Sequence, residues 1–403
     1  MKIQIDGTER KNKGAELMLY SILGEVENKF PNATVYYNNT DGNIEAIDTS
    51  LDLRHRFWLR HGRYPRAIFR RLNIYVPVLD RYYADPHVDL VLDASGFRWG
   101  DQWKYDNEFF QRFRNYYRGL KSNGTKIILL PQAFGPFQTS HGKQVVDILN
   151  TYADLVIARE KISYNFLIEA GLDKDKTMIC SDFSLTVKGE IPEEFKIVDG
   201  VCVIPNAQMI NHTDTSRDQY ISFLKKIIQK SRSIGYTPFL LNHEGKRDRD
   251  LCNAVNGVLD SPVQIVSGLN SKQLKGVIST AFAVISSRYH GVASAINQNI
   301  PCLATSWSHK YSELFKDFGL EDRVMKVNES DERIDSRLEE LLDTESNREI
   351  RNQLKERKPE VSKQVEAMWE KLFSIIDDTT LHRGTASGNY RNADIPVPTR
   401  TSS

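Results

Sequence analysis

A chain of 403 residues is too long for one ordinary hydrophobic core, so about two domains are expected. Its 40% hydrophobic and 27% charged residues are those of a soluble globular protein, and a formal net charge of +1 gives no bulk field for nucleic acid. The four cysteines, Cys180, Cys202, Cys252 and Cys302, lie far apart with no Cys/His cluster, which argues against a metal site and for buried, reduced thiols in a cytoplasmic protein.

Apolar runs and helix-like spacings alternate along the chain. Residues 2–6 read as a strand, with no signal-peptide core, and the polar turn Asn12-Lys13-Gly14-Ala15-Glu16 follows. Leu17, Leu19, Tyr20, Ile22, Leu23 and Val26 then recur at helical period. Further strands are expected at 33–37, 88–93, 126–130 and 155–158. After a polar, Gly/Pro-marked stretch near residue 190 the pattern resumes, with short apolar runs at 201–204, 238–241, 263–266, 282–285 and 302–304. Strands alternating with helices predict two α/β domains, each a Rossmann-like, doubly wound parallel sheet, with a cleft between them. The expected division is 1–190, 191–330, C-terminal helices over 331–380, and a disordered tail at 381–403. No apolar run approaches the ~20 residues that span a bilayer.

The chemistry-bearing residues fall just past the apolar runs, where open α/β sheets place their ligands. Ser286-Ser287-Arg288-Tyr289-His290-Gly291 is the most informative of these turns. A guanidinium grips phosphate or carboxylate, and an imidazole two residues on binds the anion or moves a proton. A structural arginine paired to a carboxylate fits the same spacing. The stretch 93–103 carries Asp93 and Asp101 as candidate bases and Trp99 and Trp103 as candidate sugar-stacking rings, with core tryptophans and capping aspartates as the alternative. Gln132, in the stiff Pro131–Phe137 loop, is a candidate ligand-binding amide. Arg159 is a second candidate anion ligand, or the partner of Glu160. His309 and Lys310 would add positive charge near the Arg288 turn, or begin a solvated helix. Asn242-His243-Glu244 also ends an apolar run and is a weaker candidate of the same kind.

The segment 51–73 stands apart. Arg54, Arg56, Arg60, Arg63, Arg66, Arg70 and Arg71 face one acid, Asp52, with Phe57, Trp58, Leu59, Tyr64, Ile68 and Phe69 interleaved. Such an insertion suits an anionic membrane surface or a diphosphate-linked lipid; a solvated insertion with an apolar underside is the alternative. Walker A, GxGxxG, GxSxG and HExxH patterns do not occur.

Taken in order, Asn12–Glu16, the 93–103 segment, Leu130–Pro136, Ala158-Arg159-Glu160, Ser286–Gly291 and Pro301–Tyr311 resemble the polysaccharide pyruvyl transferase family. Ala15-Glu16 stands where that family usually has Gly-Asp, and Ala94-Ser95-Gly96 replaces a more glycine-rich turn. The resemblance implies a fold similar to GT-B glycosyltransferases, phosphoenolpyruvate as donor, and as acceptor a hexose of a surface polysaccharide or its lipid-diphosphate-linked precursor. The product implied is a pyruvate ketal, and neither a cofactor nor a metal is implied. By position, Arg288 and His290 match the family's Arg-x-His motif at the donor, and Arg159 matches a donor-facing arginine. His290 is expected as the acid and Asp101, ahead of Asp93, as the base. Two rivals remain open: a nucleotide-sugar glycosyltransferase of the same architecture, and a non-catalytic glycan- or lipid-binding protein at the inner membrane face.

Overall fold

The structure, a computed structural model, describes residues 1–8, 10, 12–38, 47, 49–56, 88–103, 105–212, 215–305 and 310–380. The chain divides into two units. One comprises Met1–Arg10, Met18–Phe183 and Gln364–Ser403, and the other Lys11–Leu17 and Ser184–Lys363. The division after Phe183 lies close to the Gly/Pro-marked stretch. The exchange of two segments, 11–17 and the C-terminal residues, is something a linear reading of consecutive domains does not foresee.

The first unit holds a seven-stranded sheet of β1 (Lys2–Asp6), β2 (Thr34–Asn38), β3 (Asp52–Arg56), β4 (Leu90–Asp93), β5 (Lys126–Gln132), β6 (Leu155–Ala158) and β7 (Thr177–Ile179). The strand order is β3-β2-β1-β4-β5-β6-β7, and every pair is parallel. Its helices are α1 (Lys13–Lys29), whose first residues are counted with the second unit, α2 (Asn107–Ser122), α3 (Ser140–Tyr152) and α4 (Lys161–Glu169). Asp106 starts α2 by accepting from the Phe109 amide at 2.7 Å, satisfying a donor the helix itself cannot. Phe109, Phe110 and Phe113 then fall on one helical face. They pack with Val145, Val146 and Leu149 of α3 onto Val91, Ile127, Leu129 and Val156 of the sheet.

The second unit has β8 (Val201–Ile204), β9 (Pro238–Leu241), β10 (Ile265–Val266), β11 (Ala283–Ser286), β12 (Cys302–Thr305) and β13 (Val324–Met325), again all parallel, in the order β10-β9-β8-β11-β12-β13. The helices are α5 (Gln208–His212), α6 (Arg217–Ser233), α7 (Gly245–Gly257), α8 (Ser271–Ser279), α9 (Tyr289–Asn297), α10 (Lys310–Asp317), α11 (Asp331–Leu342) and α12 (Thr344–Thr380). From Gln364 on, α12 is counted with the first unit. The sheet is covered on both faces. Val201, Val203, Ala283, Ile285 and Leu303 meet α6, α7 and α11, while Cys202, Ile204, Val284, Cys302 and Ala304 meet α8, α9 and α10. Strands buried on both sides must be apolar at every position, which is why they read as unbroken runs.

In both sheets the connections run outward in opposite directions from a central pair, β1/β4 in one and β8/β11 in the other. Such switch points leave a crevice beyond the carboxyl ends of the strands. The basic segment 51–73 begins as an edge strand, β3, where Arg54 pairs with Asp52 at 2.9 Å; its residues 57–73, like the tail 381–403, lie outside the described residues. Among the described residues no helix is long and apolar enough to cross a membrane.

Candidate active site

The Arg288 turn follows β11, at the switch point of the second sheet. Ser286 Oγ accepts from the Arg288 amide at 3.0 Å and donates to its carbonyl at 2.9 Å, closing the turn. Ser287 is its hub. Tyr220 donates to Ser287 Oγ at 2.6 Å, Ser287 Oγ also meets Thr305 Oγ1, and Asn206 Nδ2 and Tyr311 Oη donate to its carbonyl at 2.8 and 2.9 Å. These partners come from the loop after β8, from β12, and from α6 and α10, so the turn is fixed from several elements at once. Helix α9 starts at Tyr289, directing its first amides and the positive end of its dipole at the crevice.

Arg288 itself is engaged by acids. Its Nε donates to Asp248 Oδ2 at 2.8 Å, Nη2 lies 2.6 Å from the same oxygen, and Nη1 meets Glu244 Oε2 at 2.5 Å. Asp248 is fully buried and takes the Ala207 amide at 3.0 Å. Burial pushes the Asp248 carboxyl above its ordinary range, against the pull of Arg288. The structural alternative for Arg288 is therefore realised in the fold. The guanidinium keeps N–H groups beyond those three contacts, because it has five.

His290, one residue into α9, lies against the start of α1. A Cβ on Gly14 would stand 2.0 Å from His290 Cε1 and Nδ1. Only a glycine permits so close an approach. Asn12 Oδ1 accepts from the amides of Gly14 and Ala15 at 3.0 and 3.1 Å and caps this end of α1. Glu16, which replaces the usual aspartate, is buried; it takes Lys13 at 2.9 Å and the Ser271 amide, at the N-terminus of α8, at 3.0 Å. The N-terminal motif thus belongs to the Arg288–His290 site.

His243 joins the same site from the end of β9. It is only 5% exposed, and its Nδ1 finds no hydrogen-bond partner among the described residues. Burial holds its pKa well below 6.5, and the positive charges of Arg288, His290 and Lys13 act in the same direction. His243 is one of the weaker sequence candidates, picked out by its place just past an apolar run, whereas Asp248 carries no such signal.

At the switch point of the first sheet, Asp6 and Asp93 are direct register partners on β1 and β4. Tyr116 donates to Asp6 at 3.0 Å, and Arg98 pairs with Asp93 at 3.3 Å. Burial depresses the Arg98 pKa, but Asp93 and Asp6 more than restore it. Asp93 is buried and also takes the Ser95 amide at 3.0 Å. Asp101 holds a different loop, accepting from the amides of Gln138 and Thr139 at 2.6 and 3.0 Å and from Thr139 Oγ1 at 2.5 Å.

Of the rings expected to stack on sugar, Trp99 is fully buried, edge-on to Phe113 with centroids 4.9 Å apart, so it presents no face to solvent. Trp103 is 42% exposed and meets Phe97, 41% exposed, at 5.9 Å. Gln132 is buried, its Nε2 reaching the carbonyls of Asp93 and Leu130 at 3.4 Å. Arg159 lies beside Glu160 at 3.4 Å, both largely buried. His309 and the Lys310 side chain lie outside the described residues. Among the described residues no three His, Cys, Asp or Glu side chains are grouped to hold a metal ion.

Comparisons with known proteins agree with this architecture. The UDP-GlcNAc 2-epimerase of Neisseria meningitidis, bound to UDP-GlcNAc, superposes with a TM-score of 0.57 at 12% identity, covering 93% of this chain and 100% of the other. HepE of Anabaena, in complex with UDP-glucose, gives 0.56 at 14% identity, covering 94% and 100%. The UDP-GlcNAc 2-epimerase of Methanocaldococcus jannaschii gives 0.54 at 12%, covering 86% and 94%. At such identities the likeness is one of fold, and it makes the two Rossmann-like units GT-B-like. No curated protein matches the chain in sequence. The model of the family described as polysaccharide pyruvyl transferase matches residues 12–309, spanning every motif that carried the resemblance up to His309. With its Arg-x-His turn seated at the switch point of a GT-B-like unit, the chain belongs to the polysaccharide pyruvyl transferase family.

Proposed function

We propose that this transferase moves the pyruvyl group of phosphoenolpyruvate onto two hydroxyls of one hexose in a surface polysaccharide, such as a capsule, or in its lipid-diphosphate-linked precursor. The observation that carries the donor is the packing of His290 against the start of α1, which brings Lys13 to the turn where Arg288 caps the N-terminus of α9. Basic groups from two segments of the chain, meeting at a sheet's carboxyl edge, suit a small dianionic or trianionic ligand.

The reaction needs no oxidant. A proton adds to the methylene C3, C2 becomes oxocarbenium-like, the C2–O bond to phosphate breaks, and two acceptor oxygens bond to C2. Of the two hydroxyl protons, one is balanced by that gained at C3 and the other leaves on the phosphate. His290 is the group we assign to protonate C3, and α9 with Arg288 and Lys13 to hold the anionic oxygens. Arg159 is a further anion ligand in this reading. The exposed Trp103–Phe97 pair offers faces for the apolar side of a hexose. The segment 51–73 would bring the enzyme to the inner membrane face, where a lipid-linked acceptor resides.

The test is release of inorganic phosphate from phosphoenolpyruvate on addition of candidate acceptors, beside thermal melts with phosphoenolpyruvate and with UDP. Acceptor-dependent phosphate release, with stabilisation by phosphoenolpyruvate, is expected. Stabilisation by UDP alone, with no phosphate released, would replace this reading with that of a nucleotide-sugar glycosyltransferase.

A further inference from the structure

His243 carries a buried ring nitrogen for which the described residues supply no partner, and the reaction written above gives this side chain no role. It follows β9, next to β8 at the switch point, and precedes Glu244, which binds Arg288. A buried polar atom left unpaired is costly, and native folds keep one where a ligand or water completes it. The surroundings specify the ligand. Arg288, held by the neighbouring Glu244, and the amide end of α9 face the same crevice, so the complementary atom is an anionic oxygen. Arg288 meanwhile spends Nε, Nη1 and Nη2 contacts on Asp248 and Glu244, which offset its charge. An anion beside it therefore gains from a further donor.

We propose that His243 binds the donor directly, giving an Nδ1–H hydrogen bond to an anionic oxygen of its phosphate or carboxylate. This rests on the reading of the site as the phosphoenolpyruvate site. A neutral imidazole suits the task. It adds a directed N–H where Lys13 and Arg288 already bring charge, and a further cation there would repel them. His243 is thus a binding residue, distinct from His290, to which proton transfer is assigned.

The test uses the full chain with His243→Phe, which keeps an aromatic ring but no donor, and His243→Asn, whose amide nitrogen can take the place of Nδ1. Inorganic phosphate and pyruvate are titrated separately by thermal shift, after ligand-free circular dichroism and melting show folded protein. His243→Phe should weaken phosphate, pyruvate or both by about tenfold or more, the affected anion identifying the oxygen bound. His243→Asn should recover most of it. In turnover, the Phe variant should raise the KM for phosphoenolpyruvate about tenfold with kcat changed less than about threefold. Unchanged affinity for both anions in His243→Phe, equal loss in both variants, or binding of neither anion by the wild type would overturn the inference. Phosphate bound through His243 without turnover of phosphoenolpyruvate would instead defeat the functional reading, and with it the donor, and keep His243 only as an anion-binding residue.

Discussion

Gly14 and His290 are locked together by the space a side chain would need: a Cβ at residue 14 would lie 2.0 Å from two atoms of the imidazole. The first turn of α1, capped by Asn12, is therefore one wall of the site and sets where the ring sits. Gly14→Ala should displace His290 and lower kcat about 100-fold, as misplacement of a catalytic group by about 1 Å does. Its stability cost should be about 1–3 kcal/mol. Gly24, in the same helix, has nothing within 4 Å of an added Cβ. Gly24→Ala should leave turnover unchanged and stabilise slightly, by about 0.5–1 kcal/mol. Turnover and urea melts of the two variants check the contrast; equal activities would remove Gly14 from the site.

Arg288→Ala removes the partner of a fully buried carboxylate, so it should destabilise the fold by about 3 kcal/mol besides weakening the donor. Asp248 already has a raised pKa, through burial first, and Arg288 restrains the rise. Without Arg288 it climbs further. A carboxyl whose folded pKa exceeds its unfolded value costs stability in full above the folded pKa and nothing below the unfolded one. The deficit of Arg288→Ala should accordingly be larger at about pH 7.5 than at about pH 5. Adding Asp248→Asn should recover part of it. Urea unfolding at the two pH values measures this, and a deficit independent of pH would contradict it.

Asp101 accepts three hydrogen bonds from Gln138 and Thr139, the residues that lead into α3. Asp101→Ala should lower stability by about 1 kcal/mol or somewhat more. Turnover per folded molecule should fall less than about tenfold. A loss in the range of about 100- to 10,000-fold at an unchanged melting temperature would make Asp101 the general base instead.

All four cysteines are buried and reduced. Burial pushes the thiols of Cys180 and Cys252 up to about 12 and raises those of Cys202 and Cys302 as well. Since the thiolate is the reactive form, the native protein should label with thiol reagents far more slowly than the four thiols of the denatured chain. Fast labelling of the native protein would show a cysteine environment other than this one.

The central strands are legible in the amino-acid pattern because burial on both faces forces apolar residues at every position, as in Val201–Ile204 and Leu155–Ala158. The edge strands β3, β7 and β13 are not, since they are short or polar: Asp-Leu-Arg-His-Arg reads as a charged stretch until Thr34–Asn38 pairs with it. Trp99 and Trp103 look alike in sequence, yet one is core and the other exposed, because only packing against Phe113 separates them. Asp248 and Glu244 could not be matched to Arg288 from spacings of 40 and 44 residues; the crossing of α7 and the β11 turn brings them together.

The sequence by itself determined the alternation of strand and helix, the family through its ordered motifs, and the turn on which Arg288 and His290 stand, because these rest on local pattern. Tertiary structure alone decided that 11–17 joins the second unit, that Gly14 must yield its side-chain space to His290, and that His243 comes to the same place with a buried nitrogen that no described residue partners. Those are outcomes of sheet order and close packing between segments more than 200 residues apart in the case of Gly14 and His290, and no local propensity encodes such distances.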